Sequence, residues 1–224
     1  MAMNRPFKVD RSREYWTPDR TTWAGDTAFI LGGGDSLRIF DCRRIKGRGW
    51  IVAVNSSFTS APFCDVLFFN DFSWFTDKWG EGAPDKGTPR RKTIERSQAT
   101  IVTTSRQSKG MSPDRLKLVR MSANARLDAL RQGRSSGHSA VSIAATYGAK
   151  RIVLLGFDMR RVNGRSHHHN EYGIADDRLY VKDFIPAFRG WDADAKKIGV
   201  EILNATPGSA LREFKMIDIE ELIR

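Results

Sequence analysis

Residues 135–159 read Ser-Ser-Gly-His-Ser-Ala-Val-Ser-Ile-Ala-Ala-Thr-Tyr-Gly-Ala-Lys-Arg-Ile-Val-Leu-Leu-Gly-Phe-Asp-Met, and their order decides the fold class. Ser135 and Ser136 are helix-capping residues. Ala140, Val141, Ala144 and Tyr147 follow at helical spacing, and Gly148 closes the helix. Arg151–Leu155 is an apolar run of the length expected of a buried parallel strand. It ends in Gly156-Phe157-Asp158. Ligands of open α/β sheets sit beyond the carboxyl ends of the strands, so Gly156 and Asp158 stand where a ligand would bind.

Working outward, residues 27–31 (Thr-Ala-Phe-Ile-Leu) read as a first strand, followed at once by Gly32-Gly33-Gly34. Asp35-Ser36 then caps a predicted helix carrying Leu37, Phe40 and Ile45. Strand, glycine turn and helix together can turn backbone amides and a helix N-terminus towards phosphate. The turn is not G-x-G-x-x-G, because residue 37 is Leu, nor a Walker loop; a ligand-free tight turn is its alternative reading. Residues 50–54 and 66–69 read as further strands ending in Asn55-Ser56-Ser57 and Asn70-Asp71. Asn and Asp are ordinary turn formers, and it is their recurrence at successive strand ends that suggests a site. Residues 99–103 and 200–204 are two more strands. Leu116, Leu118 and Val119 suggest a short edge strand, and Ala125–Leu130 a short helix. Phe184, Phe188, Trp191 and Ala195 form a core-facing helical stripe with Pro186 in its first turn. A short helical tail follows the last strand, and Trp16 and Trp23 are the expected anchors of an otherwise irregular N-terminal stretch. The expected fold is α/β: a single Rossmann-like three-layer domain over 1–224, with a mostly parallel sheet and a basic, loop-rich insertion at about 77–134.

The chain has 224 residues, 40% of them hydrophobic, which suits one domain with a real core. No apolar run is long enough for a membrane span, and the polar N-terminus does not read as a signal peptide. Cys42 and Cys64 have no metal-ligand spacing and read as reduced thiols, so a cytoplasmic location is expected. Between Lys86 and Arg134 lie thirteen basic residues against three acids, so this segment carries +10 of the chain's +11. A polyanionic partner would use such a concentration, with Arg90, Arg91, Lys92, Arg106 and Lys109 as contacts. A solvated basic face is the alternative.

After Asp158 come Arg160-Arg161 and then His167-His168-His169. Three adjacent histidines cannot all point one way. A substrate role, metal ligation and a solvated loop remain open from the residues alone, and no metal ligand is assigned.

Four blocks carry a family resemblance: LGGGDSL at 31–37, AVNSSF at 53–58, SSGHSAVSIAATYGAKRIVLLGFDM at 135–159 and GVEILNATPGSAL at 199–211. Together they resemble the nucleotide-binding domain of bacterial lipooligosaccharide sialyltransferases and the related archaeal 6-hydroxymethylpterin diphosphokinase family, including phage-encoded members of that superfamily. About half of the chain is covered, and 77–134 is not. The resemblance implies that Gly32, Gly33, Gly34 and Ser36 form the first phosphate-side loop, with Gly33 standing where the sialyltransferases carry Asn. It implies that Asn55 touches donor phosphate or sugar. Ser135, Ser136 and Gly137 resemble a Thr-Ser-Gly turn that meets the donor's carboxylate or phosphate. Gly156, Phe157 and Asp158 resemble a Gly-Ile-Asp that holds ribose and base. Asn70 and Asp71, at a neighbouring strand end, join this set. The family's phosphate-binding tyrosines after that Asp are absent here. Its catalytic base is a histidine before the last helix, a place His167, His168 or His169 could fill; His168 or His169 is favoured, and Asp158 joins them as a catalytic candidate.

The reaction expected first is glycosyl transfer from a CMP- or UDP-type nucleotide sugar to a hydroxyl. A hydroxymethylated base of phage DNA, in a host cytoplasm, is one acceptor that would combine both halves of the chain. A flipped base would leave a gap that Trp74, Phe75 or Trp79 could fill, although core or loop packing is the favoured reading of each. The second reading is a Mg-dependent diphosphokinase or nucleotidyl transferase using Asp35, Asp71 and Asp158. The third is a nucleotide-binding protein without turnover.

Overall fold

The computed structural model describes residues 14–75, 94, 96–105, 115–169 and 176–224. Eight strands form one sheet: β1 (Thr27–Leu31), β2 (Trp50–Val54), β3 (Val66–Phe69), β4 (Thr100–Thr103), β5 (Leu116–Leu118), β6 (Arg151–Leu155), β7 (Glu201–Asn204) and β8 (Lys215–Met216). Their order is β5-β4-β3-β2-β1-β6-β7-β8, and every pair is parallel. Among the described residues the sheet is parallel throughout, in line with the expected α/β fold. A parallel sheet hides both faces, which is why β1, β2, β3 and β6 are almost unbroken apolar runs.

Alternate residues of these strands feed two cores. Ile30, Val52, Phe68, Ile152 and Leu154 face one side, where α2 (Ser136–Thr146) and α5 (Trp191–Lys197) pack. Phe29, Leu31, Ile51, Leu67 and Val153 face the other. That second layer is thinner than expected. The predicted helix after Ser36 is two short 3-10 turns, Asp35–Arg38 and Cys42–Ile45. Asp41 starts the second turn by accepting from the Arg43 amide, which ends any continuous helix. Leu37 and Ile45 still reach the core, while Ile39 is 83% exposed. The short α1 (Phe72–Phe75) and the C-terminal α6 (Glu220–Ile223) complete this layer.

Two other expectations change. Residues 125–130 form turns and no helix. The stripe from Phe184 to Ala195 is broken: α3 (Asp177–Leu179) runs into a π-helical turn (Tyr180–Phe184) and α4 (Ile185–Ala187), and left-handed Gly190 then starts α5. Phe188, Trp191 and Ala195 are core, but Phe184 is not fully buried. Trp74 and Phe75 are packed inside, with Trp74 Nε1 donating to Ser56 Oγ at 2.8 Å, in line with the core reading of these residues. Trp79 lies outside the described residues. The edge strand β5 and both anchors appear as expected. Trp23 is buried against Tyr147, centroids 4.0 Å apart, and the Trp16 amide donates to Leu118 O.

The sheet order reverses between β1 and β6, and the loops leaving these two strands interlock. Gly32 N–H donates to Leu155 O at 2.7 Å and Gly34 N–H to Gly156 O at 2.8 Å. The Ser36 hydroxyl donates to Asp158 Oδ2 at 2.8 Å, and its amide to Oδ1 at 3.2 Å. The backbones approach so closely that side chains have no room. A Cβ on Gly34 would lie 1.8 Å from Asp158 Oδ2, and one on Gly32 would lie 2.6 Å from Gly156 O. At Gly33 the nearest atom would be His167 Cδ2 at 3.4 Å. Gly34→Ala is therefore expected to lower unfolding free energy by about 1–3 kcal/mol or more, while Gly33→Ala changes it by less than about 1 kcal/mol, both read by urea denaturation.

Candidate functional site

At the point of strand reversal a cavity of about 440 Å³ opens over the carboxyl ends of the strands. Its lining joins turns distant in sequence: Gly32, Gly33 and Gly34 after β1, Asn55 after β2, Asp71 after β3, Ser135, Ser136 and Gly137 at the start of α2, and Gly156, Phe157 and Asp158 after β6. Met159, Ser166, His167, His169, Leu179, Tyr180, Phe184 and Arg134 close the rim.

The N-terminus of α2 points into this space. Ser135 is its N-cap in extended conformation, but its side chain makes no capping bond, contrary to the sequence reading. The first-turn amides thus keep their positive character for an anion. In the glycine loop, Gly32 and Gly34 amides are consumed by the β6 loop, so Gly33 N–H is the one of the three that the interlock leaves over.

Two lining residues other than glycine hold left-handed backbone, Asn55 at φ 51° and Met159 at φ 51°. Asn tolerates this conformation; for Met it costs on the order of 1–2 kcal/mol. Asn55 Oδ1 is also buried and accepts no hydrogen bond among the described residues. A strained backbone together with an unused buried acceptor at a cavity wall is what a ligand-binding residue carries.

The expected contacts divide in two. Gly32, Gly33, Gly34, Asn55, Asp71, Ser135, Ser136, Gly137, Gly156, Phe157, Asp158 and His169 share the cavity. Ser36, Asn70 and His168 lie outside its lining. Ser36 is turned to Asp158, and Asn70 Oδ1 accepts from Thr104 Oγ1 at 3.0 Å. The His168 amide donates to Gly33 O at 3.0 Å, and its Nδ1 is 3.1 Å from the same oxygen. His168 is thereby a clasp between the histidine loop and the glycine loop. His167 and His169 sit in a run of bends, their rings stacked 5.2 Å apart, and both line the cavity. Burial, helped by the neighbouring His168, holds His167 below the ordinary imidazole range. Asp158 is only 2% exposed; burial raises its carboxyl, and the Ser36 bonds act against that rise. Its two oxygens are engaged by Ser36, so it shapes the loop crossing.

The other carboxylates do not converge. Asp35 is paired with Arg165 at 3.0 Å and Arg38 at 3.3 Å. Among the described residues no three His, Cys, Asp or Glu side chains could share a metal ion. A Mg²⁺ site built from Asp35, Asp71 and Asp158 does not fit this arrangement.

Sequence reading missed His138, the centre of a buried polar chain. Its ring stacks on Phe188 with centroids 3.7 Å apart, its Nδ1 is 2.8 Å from Ser135 Oγ, and its Nε2 is 3.1 Å from Phe184 O. Burial brings its imidazole down to about 4. Also missed were Tyr180, whose hydroxyl donates to Ser166 O at 3.3 Å, and Arg134, paired with Asp183 at 3.0 Å. No sequence pattern marks these residues; the structure shows Tyr180 in a π-helical turn, Tyr180–Phe184, of the kind that concentrates at functional sites.

Of the basic contacts proposed for a polyanion, Arg90, Arg91, Lys92, Arg106 and Lys109 lie outside the described residues. The described arginines of that segment are largely engaged within the protein. Arg126 meets Asp128, Arg131 meets Asp194, and Arg115 donates to the Ser97 carbonyl. Cys42 and Cys64 are buried free thiols, pushed up by burial to about 11 and about 12, so both are protonated at neutral pH. No described helix is long and apolar enough to cross a membrane.

No protein-family model matches the sequence, and no curated protein matches it. Solved structures do. The sialyltransferase CstII from Campylobacter jejuni, in complex with the substrate analogue cytidine-5'-monophosphate, is 16% identical, covers 87% of this chain and 85% of its own, and has a TM-score of 0.54. The sialyltransferase CST-II in complex with trisaccharide acceptor and CMP is 14% identical over 86% of each chain, with a TM-score of 0.51. At such identities the likeness is one of fold.

Two outcomes follow from this geometry. Asn55→Gly is expected to raise unfolding free energy by up to about 1 kcal/mol by relieving the left-handed backbone, while weakening whatever the cavity binds. His138 is neutral when folded and charges near pH 6.5 when unfolded, so the unfolded chain binds the extra proton between these values. Stability should therefore fall by roughly 3 kcal/mol as pH drops from 6.5 to 4, a slope missing in His138→Gln and measured by urea midpoints.

Proposed function

We propose that this protein transfers a glycosyl group from a nucleotide-activated donor, of CMP or UDP type, to a hydroxyl acceptor. The observation that carries this reading is the gathering of Gly33, Asn55, the α2 N-terminus, Gly156–Phe157 and His169 around one cavity at the strand reversal. A donor of this kind needs a place for its nucleotide, a partner for the departing phosphate and a base for the acceptor. The cavity has the volume of a small-molecule site. Amides of the α2 N-terminus and of Gly33 suit the phosphate, whose negative charge grows as the bond to the sugar breaks. His169, exposed to the same cavity, suits the base. In the proposed step the acceptor hydroxyl passes its proton to the imidazole. The acceptor oxygen bonds the sugar carbon, and the carbon–phosphate oxygen bond breaks with its electron pair leaving on the nucleotide. The two sialyltransferase structures it resembles are complexes with CMP, which supports the same donor class here.

The diphosphokinase reading requires a carboxylate cluster that Asp35 and Asp158, already committed to Arg165 and Ser36, do not make. A DNA acceptor rests on sequence charge alone, since its proposed contacts lie outside the described residues.

Incubation with CMP- and UDP-sugars and a hydroxyl acceptor is the test. Release of free nucleotide with matching glycosylated product is expected, and His169→Gln should slow it by about 10²–10⁴-fold with nucleotide affinity little changed. Failure to bind any nucleotide overturns the reading. Recovery of bound donor intact after long incubation shows a binding protein without turnover.

A further inference from the structure

The chain Phe184–His138–Ser135 settles which way hydrogen points at the mouth of α2. At the end of α4, Phe188 N–H donates to Ile185 O, and the Phe184 carbonyl, which closes the π-helical turn, faces His138. A carbonyl can only accept, so Nε2 carries the ring hydrogen at this 3.1 Å contact. The ring is fully buried between Phe188 and Trp191, with no acid among its aromatic and hydrogen-bonding neighbours, and so it stays neutral. Nδ1 is then a bare acceptor. The 2.8 Å contact with Ser135 Oγ must be a bond donated by the serine hydroxyl. Gly133 makes room for this arrangement, since a Cβ there would lie 2.1 Å from His138 Cβ.

The hydroxyl hydrogen of Ser135 is thus committed to the protein interior, while Ser135 itself lines the cavity. Only oxygen lone pairs remain to face a ligand. We propose that Ser135 is a specificity-determining acceptor, which takes a hydrogen bond from a hydroxyl of the bound sugar or ribose and does not hold the ligand's anionic group. The phosphate falls instead to Ser136, to the α2 amides and to the Gly33 amide. This assignment departs from the expectation that Ser135 and Ser136 together meet the donor's carboxylate or phosphate. It rests on the nucleotide-sugar reading of the cavity for the identity of the ligand, but the hydrogen direction does not.

Two measurements separate these parts. In the ligand-free protein, ¹⁵N–¹H correlation spectra of the histidine side chains are expected to show His138 as the neutral Nε2–H tautomer from pH 5.5 to 8. An Nδ1–H tautomer or a charged ring overturns the proposal, whatever the protein binds. For the ligand, inorganic phosphate, CMP and a CMP-activated sugar are titrated against wild type, Ser135→Ala and Ser135→Thr by calorimetry. Ser135→Ala should leave phosphate affinity within twofold and weaken CMP or the CMP-sugar by about fivefold, with Ser135→Thr restoring it. An equal loss for phosphate, or no loss for either nucleotide, overturns the proposal. If wild type binds neither nucleotide, the ligand assignment falls with the proposed function, and the tautomer alone decides the hydrogen direction.

Discussion

The close crossing of the loops after β1 and β6 is the constraint on which the site depends. Two backbones meet where the sheet changes direction, and they meet so tightly that Gly32, Gly34 and Gly156 have no space for a side chain. The carboxylate of Asp158 is sealed into this crossing by Ser36. Two of the three glycine amides are used in the knot, so the loop contributes rigidity first and ligand contacts second. A rigid floor under a cavity is what keeps the amides above it aimed at one point without reorganisation when charge develops there.

Around that floor the walls come from separate devices. The histidine loop is fastened by His168 to Gly33 O and by Arg165 to the buried Asp35. These bonds turn His167 and His169 inward. The α2 wall is fastened through His138 to the π-helical turn carrying Tyr180 and Phe184. Some residues that look chemical in sequence also fasten the site: Ser36 bonds Asp158, and His168 bonds Gly33 O. Asn55 and Met159, both in left-handed backbone, also line the cavity.

How much of this was legible follows from how local each signal is. The strands were readable because a parallel strand buried on both faces is a short continuous apolar run, and Leu31, Val54, Phe69 and Leu155 end them within a residue of expectation. The segment after Ser36 was misread because Leu37, Phe40 and Ile45 mimic helical spacing. Only the Asp41 side chain, by starting a new turn, breaks it. Strand β8 was invisible: two residues, Lys215 and Met216, have no pattern of their own and are strand only because β7 offers them an edge.

By itself the sequence determined the α/β class, the strand ends and the cluster of small polar residues that follow them, because each depends on neighbours a few positions away. Only the tertiary structure decided which of those residues face the cavity and which are spent holding it. Asp158 finds Ser36 across 122 residues, and His138 finds Phe184 across 46. A hydrogen bond of that span is fixed by where the sheet places two loops, and no periodicity in the chain records it.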